Sequence, residues 1–496
     1  MSDRRLFVNA AWNYSGTFAE GLVGLVLVTY IARHVSPAEY GLALFALTLA
    51  EVFMLFDFGL FGLLPRGYLA ERARPDGRPM QLVGSALIAT AALGLLACGV
   101  MIVVGLLVVA HGRTGLDPSV VPAARTTIML TGILLAITLP TQTLLRVYEA
   151  ENRFRSLSVL NVATAIARGA VTIVAVSGGY GARGIVVAAL AAGVLRLVVL
   201  ASPGFIRAAG MTPLELRWDW VRLRPTWRLG GWAFADNVAH HISFGIDTLV
   251  LGAFSSMHSV ALYGVANKIP LHAGIAIEKA VAVALPAMAE QHVAGARSET
   301  ARLFVVLTRF TFAAVLPVVV IGSVVATSLL VFWAGAEYAE ASTTLRWLLG
   351  GTIGLALAVP CITALYAVNA VAEDAKIAIV EAILNLGATL ALVPRFGAAG
   401  AASATAVTHL ATTLFWLVPV TCARVELPVG QLAKHVVRGL TLPLVCSLGV
   451  LAVAWTITGA NDHALRVAGG AVAGIVYFAV LWLRWRPRAV SGPVPS

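Results

Sequence analysis

The sequence predicts an all-α integral membrane protein of about 14 transmembrane helices. They form two parallel six-helix repeats, giving two lobes around a central cavity, plus a C-terminal helix pair. Three observations carry this prediction. The chain is 59% hydrophobic and 12% charged over 496 residues, with a mean hydropathy of +0.88, whereas soluble domains carry about twice that charge fraction. Apolar runs of about 20 residues, the length that crosses a bilayer, recur from one end to the other. The net charge of +11 is dispersed in short basic clusters between those runs, as topology signals are, and forms no nucleic-acid patch.

The spans fall at about 10–32, 39–62, 82–110, 123–146, 157–177, 183–203, 230–254, 260–285, 303–333, 343–368, 377–394, 399–422, 438–457 and 465–483. A cytoplasmic N-terminus places about 23 basic residues inside against about 7 outside, a strong positive-inside bias. An even number of spans returns the C-terminus to the same side. Arg4 and Arg5 precede the first run with no small-residue cleavage site, so it reads as an uncleaved helix. The longest loops, around His111–Pro122 and Gly204–Arg228, are too short for a catalytic domain. The second carries Trp218, Trp220 and Trp227 among arginines, a composition suited to the headgroup region. Cys98, Cys361, Cys422 and Cys446 are scattered in apolar segments without a C-x-x-C pair, which implies neither disulfides nor a metal site.

An internal repeat organises the first twelve spans. Tyr30–Gly41 (YIARHVSPAEYG) matches Ala253–Gly264 (AFSSMHSVALYG), and Gly179–Gly184 (GYGARG) matches Arg395–Gly400 (RFGAAG). The offsets, about 223 and 216 residues, agree within a small gap. Six spans per unit give both halves the same orientation, related by an axis along the membrane normal. The expected division is 1–205 for the first lobe, 206–424 for the second, and 425–496 for the added hairpin and tail.

The residues most in need of explanation lie in the seventh and eighth spans. Lys268, His272 and Lys279 are spaced i, i+4, i+11 and share one helical face. Each lysine would cost about 2.5–3.5 kcal/mol at the bilayer centre if it faced lipid. Asp236, His240 and Asp247 repeat that spacing on the preceding span, with His241 beside them. Folding the hairpin near Met257 levels Asp247 with Lys268 and Asp236 with Lys279. The ladder either fastens the hairpin or lines a hydrated cavity for an anion, and both hold if ligand and carboxylate compete for the lysines. At the repeat offset the counterparts of the cations are Phe45, Leu49 and Phe56, and Asp236 falls on Asn13. The ladder therefore belongs to the second half alone, which favours function over scaffold.

Other intramembrane polar residues are Asn9, Asn13, Gly16 and Glu20 on one stripe of the first span, then Glu51, Arg168, Arg196, Arg309 and Glu381. Arg196 and Arg309 are close enough to span ends to snorkel, while Arg168 and Glu20 are deeper cavity candidates. Asp57 is expected to pair with Arg66. Pro270, Pro317 and Pro360 predict kinks. Phosphate-loop, H-E-x-x-H, D-x-D and G-x-S-x-G motifs are absent, so the sequence reads as that of a transporter without cofactor or metal.

Five segments in order, YIARHVSPAEYGLALFAL, FDFGLFGLLPR, IDTLVLGAFSSMHSVALYGVANKI, WAGAEYAEASTTLRWL and ILNLGATLALVPRFGAAGAASATAV, make the chain resemble the polysaccharide (O-antigen-type) flippases. These belong to the superfamily of multidrug, oligosaccharidyl-lipid and polysaccharide exporters. Pro65 departs from the family pattern and bears on the end of the second span. The resemblance implies alternating access by two lobes and an undecaprenyl-diphosphate-linked oligosaccharide as substrate. It further implies the bacterial cytoplasmic (inner) membrane as location, a place in cell-surface polysaccharide biosynthesis, and a polysaccharide polymerase and glycosyltransferases as partners. Lys268, Lys279, His272 and Arg168 then suit the diphosphate. Asp236, Asp247, His240, His241, Glu20 and Asn13 are left as charge partners or ion-coupling groups. The alternatives are a cation-coupled multidrug or small-metabolite antiporter and, from another class, a membrane-embedded glycan polymerase or ligase.

Overall fold

The computed structural model describes residues 3–110, 121–459 and 461–485, and the side chains of 3–15, 17 and 228–244 lie outside that description. Every regular element among the described residues is helical. The first half runs α1 (Asp3–His34), α2 (Pro37–Phe53), α3 (Leu60–Arg72), α4 (Pro79–Ala110), α5 (Val121–Ala150), α6 (Phe154–Ser177), α7 (Gly181–Ala201) and α8 (Pro203–Ala208). Then follow α9 (Trp220–Phe254), α10 (Met257–Ala266), α11 (Lys268–Ala282), α12 (Leu285–Val293), α13 (Arg297–Ala334) and α14 (Ser342–Ala367). The last elements are α15 (Val371–Thr412), α16 (Val418–Arg424), α17 (Val429–Val437), α18 (Thr441–Ile457) and α19 (His463–Trp485).

Ten helices among the described residues are long and apolar enough to span a membrane, or eleven if the bent pair α17 and α18 counts as one span. The sequence reading gives a higher figure for identifiable reasons. α15 is counted once although Gly397, at φ 53° and ψ −132°, divides it. α9 stays outside that figure, because its described apolar stretch, Gly245–Phe254, is too short to span by itself.

The spans break where local chemistry says they should. The second does not run on to residue 62: α2 ends at Phe53, a short 3-10 turn covers Met54–Asp57, and Phe58 and Gly59 are left-handed. Asp57 makes this junction. It is buried, and its carboxylate accepts from the Gly59 N–H at 3.1 Å and the Phe61 N–H at 2.9 Å, satisfying donors at the start of α3. Pro65 sits inside α3, where it lacks an N–H and its ring crowds the Phe61 carbonyl. The eighth span likewise divides into α10 and α11. Pro270 at the start of α11 cannot bond the Ala266 carbonyl, and α10 ends at Ala266.

The chain separates into two compact units. Unit 1 comprises Met1–Gly264 and Thr389–Ala401, and unit 2 comprises Val265–Ala388 and Ala402–Ser496. The core of unit 1 gathers Leu60, Leu64, Tyr68, Leu82, Val147 and Tyr148. That of unit 2 gathers Met288, Phe304, Cys361, Leu365 and Leu432. Outward faces are apolar too, with Val26, Leu95, Val174 and Phe415 all exposed, the arrangement of a protein whose solvent is lipid. Inside α5 the hydroxyls of Thr127, Thr131, Thr138 and Thr141 each donate to the carbonyl four residues back. The helix thereby carries polar side chains without leaving them unsatisfied.

The repeat is visible as local geometry within unit 1. Gly181 and Gly397, matched by the shorter offset, both have positive φ, 45° and 53°. A Cβ on Gly181 would lie 2.6 Å from the Glu39 carboxylate, and one on Gly397 would lie 3.1 Å from the Ser259 hydroxyl. Each turn thus abuts the hairpin of its own half. The matched Tyr40 and Tyr263 are both buried, and the matched Gly41 and Gly264 bring α2 and α10 together.

A buried ionic knot closes one end of unit 1. Glu71 is almost fully buried and takes Arg74 at 2.6 Å and Arg222 at 2.5 Å, while Arg72 and Tyr68 converge on Glu151. Glu71→Gln puts a neutral amide beside the half-buried Arg222 and leaves it Asp219, 3.3 Å from its Nε, as carboxylate partner. We expect a loss of about 2 kcal/mol, less than a deeply buried pair would show because Arg74 is exposed. A lowered melting temperature of the purified protein checks this, and an unchanged one would show that the knot contributes nothing.

Candidate functional site

Among the described residues a polar cavity lies within unit 1. Five helices supply its wall: Glu20 from α1, Ala50 and Glu51 from α2, Thr138, Thr141 and Gln142 from α5, Thr164 and Arg168 from α6, and Ala189, Gly193 and Arg196 from α7. Its volume is about 270 Å³, close to the lower end of small-ligand sites. Small residues on α7 make the room, and the long polar side chains of α1, α2, α5 and α6 reach into it.

The charges balance in number, two guanidiniums against two carboxylates, but not in engagement. Arg196 donates to the Thr164 hydroxyl at 3.1 Å. It feels the attraction of Glu20 and the like charge of Arg168. Arg168 keeps a buried Nε without a hydrogen-bond partner. A buried guanidinium donor left unmade is costly, and an anion entering the cavity would satisfy it. The arrangement can therefore receive a planar or tetrahedral oxyanion on two arginines. Glu20 and Glu51 line the same cavity and offset the two positive charges.

Depth in the sequence assigns Arg168 and Glu20 to a cavity, and the structure brings them together. The same criterion has Arg196 snorkelling to an interface, whereas Arg196 lines this cavity and bonds Thr164. The arginine lies near the end of the expected span, but α7 delivers it onto the face opposite α6. Arg309 packs over the Trp485 ring at 4.2 Å, near the end of α19. Gln142 is a cavity residue that sequence does not reveal, since a lone amide in a threonine-rich helix carries no signal.

The second-half ladder is distributed differently. Lys268 opens α11 and Lys279 lies in its last turn, both half-buried. Between them the His272 Nδ1–H donates to the Lys268 carbonyl at 2.7 Å, which leaves Nε2 as the acceptor in the neutral ring. Asp247, in unit 1, is buried and accepts from the Tyr263 hydroxyl at 2.6 Å and the Thr389 hydroxyl at 3.2 Å. The side chains of Asp236, His240, His241 and Asn13 lie outside the described residues. Asp57, expected to pair with Arg66, spends both carboxylate oxygens on the backbone cap of α3.

A helical bundle of apolar spans with a charged cavity inside one unit is the build of a membrane transporter or flippase, and solved structures share it. A structure described as "Lipid II flippase MurJ, inward closed conformation" aligns with TM-score 0.74 at 13% identity, covering 96% of this chain and 98% of its own. An inward-facing multidrug resistance transporter of the MATE family and MOP superfamily aligns with TM-score 0.62 at 13% identity, over 86% of this chain and 99% of that one. A MOP superfamily transporter from Pyrococcus furiosus aligns with TM-score 0.54 at 12% identity, over 87% and 95%. At these identities the likeness is one of fold. The family is given by sequence: the polysaccharide biosynthesis protein family matches residues 6–292, and the chain belongs to that family. No curated protein matches the sequence significantly.

Proposed function

We propose that the chain is an alternating-access flippase for an undecaprenyl-diphosphate-linked oligosaccharide. It carries that lipid from the cytoplasmic to the outer leaflet of the bacterial cytoplasmic membrane, with both termini inside. The observation that carries this reading is the pair Arg168 and Arg196 in one cavity, with an Arg168 donor unmade. A diphosphate is the part of such a substrate that an apolar bundle is least able to pass. Paired guanidiniums in a water-poor cavity lower that barrier, because Coulomb attraction strengthens where water is scarce. A volume of about 270 Å³ suits the diphosphate and its nearest sugar, with the lipid tail left in the bilayer. Gln142, Thr138 and Thr141 offer hydrogen bonds to sugar hydroxyls. Lys268, His272 and Lys279 on α11 give unit 2 a cationic stripe of its own, of a chemistry that suits an anionic headgroup. Glycosyltransferases supply the substrate, and a polysaccharide polymerase consumes it.

Deleting the gene tests the reading. Lipid-linked oligosaccharide is expected to accumulate where an impermeant oxidant added from outside cannot reach it, and the full-length chain restores exposure. An unchanged leaflet distribution would sink the proposal, and sensitisation to cationic drugs alone would point to an antiporter. Lys268→Gln and Lys279→Gln are each expected to lower export several-fold at equal membrane abundance. Full export by both would remove α11 from the substrate path.

A further inference from the structure

A second polar site sits in unit 2, on the two arms of α15, and the family reading does not account for it. Glu381 is held from both sides. His409 Nδ1 lies 2.7 Å from its Oε1, and the Thr412 hydroxyl donates to its Oε2 at 2.5 Å. The Glu381 and His409 side chains are only 14% and 13% exposed. The imidazole packs on α14 at Gly354, where a Cβ would come within 2.9 Å of its Cδ2. About one turn away, the Thr405 hydroxyl donates to Asn385. Thr408, Thr412 and Thr413 complete a polar strip of buried hydroxyls.

The repeat gives this strip its meaning. At the offset of about 216 residues, Glu381, His409 and Thr412 match Ala165, Gly193 and Arg196, all lining the cavity of unit 1. The corresponding helical hairpin therefore carries a guanidinium in the first half and a carboxylate–imidazole pair in the second. A scaffold requirement would have left the same kind of residue in both.

We propose that Glu381 and His409 form a proton-exchange site that couples the transport cycle to a proton gradient, an inference that rests on the flippase reading. The geometry favours a proton over a metal cation. Both carboxylate oxygens already accept from donors, and the imidazole turns an N–H toward them, so a cation would meet hydrogens where it needs lone pairs. Imidazole is the side chain that changes charge in the physiological range. With the proton bound, the pair is an ion pair of zero net charge. When the imidazole gives the proton to water, a single negative charge remains in an apolar span, which is unfavourable unless water reaches it. The two protonation states thus differ in how well they tolerate enclosure, and that difference is what coupling requires. The step balances as a simple transfer: a hydronium on one side protonates the imidazole, and water on the other side accepts the same proton.

The titratable groups on the described neighbouring elements are few. α14 carries nothing titratable between Trp347 and Val359, and the turn Thr413–Leu417 carries nothing titratable either. On α15 itself Glu373, Asp374 and Lys376 lie toward the helix start, with Glu373 bridged to Lys376 and Arg424. Arg424 on α16 is committed to that bridge, and Cys422 is buried.

The test uses the full chain in liposomes with a fluorescent undecaprenyl-diphosphate oligosaccharide, its leaflet read by an impermeant quencher. With one proton per cycle, a gradient of about one pH unit is expected to shift the wild-type leaflet ratio about tenfold. Glu381→Gln and His409→Gln are expected to equilibrate the probe with less than a twofold shift. A gradient response equal in all three, at equal reconstituted amounts, would overturn the site. So would a doubly substituted Glu381→Gln/His409→Gln chain that keeps the response, since the pair would then be packing alone. A second measurement needs no substrate: the distance distribution between one spin label on each unit, at about pH 6 and about pH 8. A pH shift in the wild type that both variants lose supports the site even if the probe never moves, and the flippase reading alone then fails. Probe movement with a pH-independent distribution and no gradient response fails the proton site and leaves the flippase.

Discussion

Replacing Arg168 by Gln is expected to cut delivery of lipid-linked oligosaccharide to the outer leaflet by about 10- to 100-fold at unchanged membrane abundance. The size follows from the hydrogen bond that the substitution removes. A hydrogen bond to a charged group contributes about 1.5–3 kcal/mol, and about 1.4 kcal/mol is a factor of ten. Gln fills much of the same space, so the cavity keeps its shape while losing a charge and the forked donor. Arg168→Lys keeps the charge without the fork and should fall between the two. Export is followed by impermeant labelling of the glycan, with quantitative blotting of the membrane fraction beside it. Normal export by the Gln variant would take Arg168 out of the substrate path. If Arg168→Gln instead lowers abundance, and adding Glu20→Gln restores it, the residues are partners in folding and nothing more.

The largest loss of stability is expected from Gly41→Ala. A Cβ there would stand 1.7 Å from the Met257 carbonyl oxygen and 3.1 Å from the Ala261 nitrogen, both backbone atoms at the start of α10. Neither can move without displacing the helix, so the cost should reach roughly 3 kcal/mol or more, the upper range for overpacking. Gly264→Ala meets only the end of the Leu44 side chain, at 2.4 Å, and should be milder because a leucine can rotate away. Gly24→Ala faces open space and serves as the control. Size-exclusion profiles and melting curves in detergent should rank the three in that order. A Gly41→Ala protein as stable as the Gly24→Ala control would mean that α2 and α10 do not approach as closely as described.

Much of the fold is readable because a bilayer imposes so plain a rule: about 20 apolar residues per crossing and no unsatisfied backbone. Spans, loops and the repeated Gly181 and Gly397 turns follow from that rule. Helix breaks are harder to read. Asp57 looks in sequence like one half of an ion pair with Arg66, and only the left-handed backbone at Phe58 and Gly59 shows its carboxylate turned back as a cap. Arg168 and Glu20 are legible as cavity residues because they are charged and deep. Arg196 is not, since distance from a span end says nothing about which face of α7 meets α6. His409 is hidden for a different reason. Folding the α15 hairpin about Arg395 sets it opposite Glu381, the same operation that sets Asp247 against Lys268, but a histidine among alanines and threonines gives no signal by itself.

Unit 1 takes in Thr389–Ala401 as well as the first 264 residues, and Thr389 is one of the two hydroxyls that bind the buried Asp247. This has a consequence for the order of synthesis. The chain grows from the N-terminus, so the first unit lacks a structural member until some 400 residues have been made. Until then Asp247 has Tyr263 alone of these two donors, and the turn glycine Gly397 has not yet reached Ser259. The first half should therefore stay open to proteases while the second is being inserted, and mature late. Nascent chains stalled before residue 389 and after residue 401 would show the difference as a change from cleavable to protected at the α9–α10 hairpin.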